Sequence, residues 1–141
     1  MKNYHIDSLN AMYEYGKVLS KRLKNGAVCY LTGDLGAGKT SLVKGIMQGF
    51  NYDGAVTSPT YNLVHEYPAK TACVYHIDLY RLNSPEEAFE LGLYEISDDN
   101  NIVLIEWPEK GQGFIPQANY LIDIRTVVGK ADERFISINC I

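Results

Sequence analysis

Residues Gly33-Asp34-Leu35-Gly36-Ala37-Gly38-Lys39-Thr40 spell G-x-x-x-x-G-K-T. This is the pattern of a phosphate-binding loop set between a strand and a helix. Its glycines let backbone N–H groups turn inward and come close to phosphate oxygens. Lys39 brings a positive point charge to the β- and γ-phosphates, and the Thr40 hydroxyl suits Mg²⁺. The helix that begins here aims its positive dipole end at the anion. The octapeptide therefore implies a nucleoside triphosphate with magnesium as ligand.

Both flanks agree with that reading. Ala27-Val28-Cys29-Tyr30-Leu31 is a short apolar run rich in strand formers. Between Ser41 and Phe50, the residues Leu42, Val43, Ile46, Met47 and Phe50 recur at helical spacing. Upstream, Ser8 reads as an N-cap, and Leu9, Met12, Gly16, Leu19 and Leu23 mark one helical face that Asn25-Gly26 closes. Downstream, 51–59 reads as a loop, and 60–66 and 73–78 read as strands. Ser84-Pro85-Glu86-Glu87 combines an N-cap Ser, a first-turn Pro and a Glu three places on. That helix is expected to end near Gly92. Ile102-Val103-Leu104-Ile105 suits a strand buried on both faces, as in a parallel sheet. Lys110-Gly111-Gln112-Gly113 reads as a loop, and 120–126 with 134–140 as an antiparallel pair around Gly129-Lys130. The expected fold is α/β, a P-loop NTPase-type mixed sheet flanked by helices, with antiparallel C-terminal strands.

A chain of 141 residues is expected to form a single domain, 1–141, and one of this size buries roughly 68–70% of its unfolded surface. It carries 17 acidic and 13 basic residues, a net charge of −4, which disfavours unaided gripping of nucleic acid. Cys29, Cys73 and Cys140 form no C-x-x-C pair. They read as small buried apolar residues, without disulfides or zinc. No apolar run approaches membrane-spanning length, and Met1-Lys2-Asn3-Tyr4-His5 leads into no signal-like apolar stretch. A reducing cytoplasm is the expected compartment.

A P-loop protein also uses a strand-end carboxylate to hold Mg²⁺, directly or through water. Glu106 follows the Ile102–Ile105 run, and Asp78 follows Val74-Tyr75-His76-Ile77. Both are expected at carboxyl ends of strands, where open α/β sheets place ligands. The buried run favours Glu106 as the metal acid, or as the acceptor for a metal-bound water. Asp78 then orients the attacking water or holds an outer one. Asp34, inside the loop, is either near the γ-phosphate or simply solvated. Thr60, in Ser58-Pro59-Thr60, is either a γ-phosphate sensor or part of a turn at Pro59. Trp107 either borders the nucleotide or packs in the core. His5, His65 and His76 lack nucleophile or metal spacing and read as structural, and the 11 tyrosines are scattered.

No N-K-x-D or D-x-x-G occurs, so GTPase-type guanine recognition is unsupported. Little chain remains for the acceptor domain and arginine-rich lid of a small-molecule kinase. Four blocks then combine: the loop 33–40; Ser58-Pro59-Thr60-Tyr61; His76-Ile77-Asp78-Leu79-Tyr80-Arg81-Leu82; and Ile105-Glu106-Trp107-Pro108-Glu109-Lys110. In order and spacing they resemble the bacterial TsaE family (formerly YjeE), over nearly the whole chain. The resemblance implies a small Mg-dependent ATPase needed to make threonylcarbamoyladenosine in tRNA. It implies partners TsaD, which transfers the threonylcarbamoyl group, and TsaB, with tRNA held mainly by that complex. By the same resemblance the catalytic residues are Lys39, Asp78 and Glu106, with Thr40 and Glu106 serving the metal. The nucleotide-binding residues are Gly33, Asp34, Leu35, Gly36, Ala37, Gly38, Lys39, Thr40, Ser41 and Thr60. Ser8 and Leu9 join them on the adenine side, and Arg134 approaches from the C-terminal hairpin. No internal arginine finger is evident in the sequence, which predicts weak turnover alone and faster turnover with partners. Two other readings share the motifs: a nucleotide-dependent binding switch with incidental hydrolysis, and a small-molecule phosphotransferase.

Overall fold

The computed structural model describes residues 2–59 and 61–141. Along the chain run β1 (Lys2–Ile6), α1 (Leu9–Ser20), β2 (Val28–Thr32), α2 (Lys39–Gly49), β3 (Val64–Pro68) and β4 (Cys73–Asp78). They are followed by α3 (Glu86–Glu90), β5 (Asn101–Glu106), β6 (Tyr120–Val127) and β7 (Lys130–Cys140), with short 3₁₀ turns at Leu93–Glu95 and Pro108–Gly111. The strands form one sheet in the order β1-β7-β6-β2-β5-β4-β3. Its centre is parallel: β2 lies between β6 and β5, and β5 between β2 and β4. Its two margins, β3 against β4 and β1-β7-β6, are antiparallel. This is the expected P-loop NTPase-type mixed sheet.

Strand alternation sorts the core into two layers. Cys29, Leu31, Val74, Ile102, Leu104 and Ile122 pack with Met12 and Leu19 of α1 and with Leu42, Val43, Ile46 and Met47 of α2. Val28, Ile77, Val103 and Ile105 point the other way, onto Leu79, Ala88, Leu93 and Ile115. Every residue of β5 is buried, as its apolar run predicts. Helices α1 and α2 cross with their backbones nearly touching. A Cβ on Gly16 would lie 2.7 Å from the Gly45 backbone, and one on Gly45 would lie 2.6 Å from Tyr13 O. Ser8 caps α1, its Oγ accepting from Ala11 N at 3.0 Å.

Several boundaries differ from the sequence reading. The strand expected at 60–66 begins only at Val64, because Tyr61 and Asn62 form a turn and Leu63 takes a left-handed φ of 65°. Helix α1 ends at Ser20, short of Asn25-Gly26, and Leu9 on its first turn is 56% exposed. Helix α3 has no side-chain cap; the Glu87 carboxylate accepts instead from Asn83 N at 3.0 Å. The 110–113 segment is partly taken up by the 3₁₀ turn Pro108–Gly111. The C-terminal strands are longer than expected, and β1 joins them as an edge strand. Of the cysteines only Cys29 is buried; Cys73 is half-buried and Cys140 exposed. Among the described residues no helix is long and apolar enough to cross a membrane.

Candidate functional site

The site begins where β2 turns into α2. Gly33, Gly36 and Gly38 all take positive φ, at 145°, 79° and 111°. At Gly33 the need for glycine is also steric, since a Cβ would meet Ile124 O at 2.5 Å. Gly38 occupies the cap position of α2, and no side chain caps that end. The first-turn N–H groups therefore face the loop rather than a neighbouring residue, the arrangement that suits an anion. Lys39 opens the helix with 5% exposure.

Asp78 and Glu106 end the adjacent parallel strands β4 and β5 and are register partners. Alternation places them with Val74 and Leu104 on the α1–α2 face, toward Lys39. They are 4% and 3% exposed. Asp78 Oδ1 accepts from Tyr80 N at 2.9 Å, and its Oδ2 accepts from Ser58 Oγ at 3.3 Å. His76 Nε2 donates to Glu106 Oε2 at 2.6 Å, and the imidazole is fully buried. Two residues before Asp78, His76 shares its face of β4, as period-two reading of Val74-Tyr75-His76-Ile77-Asp78 places it.

Lys39 Nζ donates to Gly33 O at 2.6 Å and stands 3.9 Å from the centroid of the Trp107 ring. Burial lowers the lysine pKa from its ordinary value, while the charges of Glu106, Asp78, Glu109 and Asp34 oppose that shift. Trp107 takes a left-handed φ of 57° between Glu106 and Pro108, and its ring packs on Tyr80 at 5.0 Å. These groups surround a cavity of about 430 Å³ that Thr40, Ser41, Ser58 and Arg81 also line. Trp107 lines the cavity and packs on the second core layer. Tyr80 and Arg81 were not singled out from the sequence. The Arg81 guanidinium lies over the Tyr61 ring at 4.4 Å.

A second cavity, about 270 Å³, adjoins the first and shares Gly36, Gly38 and Ser41 with it. Ile6, Ser8, Leu9, Met12 and Arg134 contribute to its wall. Arg134 Nε donates to Ala37 O at 2.8 Å, fastening the β7 end of the hairpin to the phosphate-binding loop. The exposed Leu9 is therefore at the rim of this space rather than in the core. Asp34 is exposed and lines a separate depression with Gly33, Asp123 and Arg125. The Thr60 reading lies outside the described residues.

The residues fit a magnesium nucleotide. A glycine-built loop, an uncapped helix start and a buried lysine surround the larger cavity, whose volume is that of a small-molecule site. The Thr40 hydroxyl with the Asp78 and Glu106 carboxylates is a hard-oxygen donor set. Among the described residues no cluster of three or more His, Cys, Asp or Glu could hold a metal ion.

Comparison with known proteins identifies relatives over most of the chain. Residues 6–135 match the family model described as "Threonylcarbamoyl adenosine biosynthesis protein TsaE". A relative from Haemophilus influenzae, named tRNA threonylcarbamoyladenosine biosynthesis protein TsaE, is 44% identical over 119 residues, covering 81% of this chain and 75% of its own. A relative of the same name from Rickettsia bellii is 38% identical over 134 residues, 94% of this chain and 91% of its own. The crystal structure of Bacillus subtilis YdiB superposes with a TM-score of 0.78 at 27% identity, over 99% of this chain and 84% of that one. The chain belongs to the TsaE family.

Proposed function

We propose that the protein is a Mg-dependent ATPase of tRNA threonylcarbamoyladenosine biosynthesis, acting in the cytoplasm as one domain with TsaD and TsaB homologues. The observation that carries the ATPase reading is the pairing of Asp78 and Glu106 at the ends of adjacent parallel strands, on the cavity that Lys39 and Thr40 line. The process comes from the family and from the names of the relatives.

In this reading the loop amides of 33–40 and Lys39 bind the phosphates and offset the charge that builds up on them during transfer. Thr40 and Glu106 hold the metal. Magnesium, when bound, supplies charge neutralisation at the β- and γ-oxygens. Asp78 orients the attacking water, its own carboxylate fixed by Tyr80 N and Ser58. Ser8, Leu9 and Arg134 receive the nucleoside side in the adjoining cavity. Thr60 senses the γ-phosphate. The net charge of −4 fits a role in which tRNA is gripped chiefly by the partners. Coupling to those partners sets the turnover, so hydrolysis is weak alone.

The test is tRNA modification in vitro with TsaB and TsaD homologues and ATP, counting turnovers with and without this protein. Many turnovers with it and about one without it would support a resetting role. Many turnovers without it, or full ATPase activity of the isolated protein unaltered by the partners, would overturn the coupling.

A further inference from the structure

Behind Glu106 lies a chain of polar groups, with His76 and Tyr67 buried at its centre, that the proposed chemistry does not use. His76 Nε2 holds Glu106 Oε2 at 2.6 Å, and His76 Nδ1 lies 3.3 Å from Tyr67 Oη. Tyr67 Oη donates to Thr57 O at 3.2 Å and also meets His65 Nδ1 at 3.3 Å. Tyr67 is 3% exposed, and its ring packs on both Tyr52 and His76. Burial pushes its pKa up to about 12, so the phenol keeps its proton and remains a donor. The neighbouring residue Ser58 donates to Asp78. Two consecutive residues of the 51–59 loop are therefore tied to the two site carboxylates: Ser58 directly to Asp78, and Thr57 to Glu106 through Tyr67 and His76.

We infer that His76 is a positioning residue for Glu106, and that with Tyr67 it couples the placement of the 51–59 loop to that carboxylate. The physical reason is the geometry of a strand-end acid. Glu106 has a longer side chain than Asp78 and more rotamers to lose. In a buried setting its carboxylate needs a partner that fixes orientation. A fully buried imidazole, bonded to Glu106 at Nε2 and packed at Nδ1 against the Tyr67 hydroxyl, supplies a rigid one, as outer partners do for metal-ligating groups. Removing the imidazole frees Glu106 and, at the other end, leaves the Tyr67 hydroxyl and Thr57 carbonyl without their link to the site. The inference rests on the reading of Glu106 as the metal acid.

The experiment compares the wild type with His76→Phe, His76→Gln and Tyr67→Phe. ATP binding is followed by Trp107 fluorescence with and without Mg²⁺, and hydrogen exchange is followed in the 51–59 loop of the nucleotide-free protein. His76→Phe is expected to raise the Mg²⁺ concentration at half-saturation about tenfold, with metal-free ATP affinity unchanged, because Lys39 and the loop amides are untouched. It is also expected to speed exchange around Thr57 and Ser58. His76→Gln, whose amide can still donate to Oε2, recovers most of the metal dependence but not the loop protection. Tyr67→Phe keeps the ring volume and shows the loop effect, so it carries the test if His76→Phe does not fold. Unchanged Mg²⁺ half-saturation and unchanged loop exchange in a folded His76→Phe protein would overturn the inference. If the wild type binds no nucleotide at all, the site reading fails separately, and the exchange data still decide the loop coupling.

Discussion

Lys39 and Trp107 meet as cation and ring, with Nζ 3.9 Å from the indole centroid. Such a contact contributes about 0.5–2 kcal/mol, more when desolvated. In the proposed reading, phosphate oxygens compete for the same ammonium. As Trp107 is the sole tryptophan, tryptophan-selective emission reports on its surroundings, Lys39 among them. Titration with MgATP is expected to change the emission in a saturable way. Lys39→Ala alters the starting emission and weakens ATP binding by about 100-fold, the loss of one charge-assisted contact. A saturable change in Lys39→Ala at the same MgATP concentrations as the wild type would contradict the placement of the phosphates.

Asp78→Asn preserves the size of the side chain and an oxygen that can still accept from Tyr80 N, but removes the charge. Hydrolysis is expected to fall on the order of 100-fold, with ATP affinity within a few-fold of wild type. Steady-state kinetics beside equilibrium binding separate the two. If tRNA modification continues at the wild-type rate in this variant, nucleotide binding alone suffices and the protein works as a switch.

Glu106→Gln separates the metal role from the phosphate role. Its expected signature is a higher Mg²⁺ requirement, read by titrating ATPase activity against free Mg²⁺. Chelation by EDTA is expected to abolish hydrolysis while leaving part of the ATP binding, since the loop amides and Lys39 act without metal.

Gly45→Ala tests the contact between the two helices that carry the site. The added Cβ would lie 2.6 Å from Tyr13 O and 2.9 Å from Tyr13 Cα, backbone atoms that cannot rotate away. Overpacking of this kind costs about 1–3 kcal/mol. Chemical denaturation should show that loss with an unchanged m-value; an unshifted midpoint would mean the helices separate freely.

Ser8→Ala removes the cap of α1 and should cost about 0.5–2 kcal/mol. Because Ser8 also lines the second cavity, ATP affinity is read in the same preparation. A stability loss with unaltered affinity would assign Ser8 to the helix alone.

Particular elements show how far local pattern reaches. β5 was legible because a continuous apolar run ending on an acid has few other uses, and β4 because strand formers lead up to an acid; their ends fall on Glu106 and Asp78. The loop 33–40 was legible because glycines at set spacing satisfy a backbone requirement that no distant residue can supply. β1 was not, since four of its five residues are exposed or half-buried, and its pairing with β7 comes from backbone bonds that any sequence can make. The start of β3 was misread because Leu63 adopts a left-handed conformation that apolar composition does not announce. His76 was read as structural because a histidine that shares a strand face with an acid carries no sign of which residue of a neighbouring strand it meets; its partner Glu106 lies 30 positions on.

By itself the sequence determined the phosphate loop, the two strand-end acids and the family, because each rests on residue type and spacing along one segment. Only the tertiary structure decided who faces whom. It set Asp78 beside Glu106 through parallel register, put Trp107 against Lys39, and linked Glu106 through His76 and Tyr67 to the loop after α2. Those relations join residues about 30 to 70 positions apart, and long-range pairing of that kind is written in sheet order and burial rather than in any local pattern.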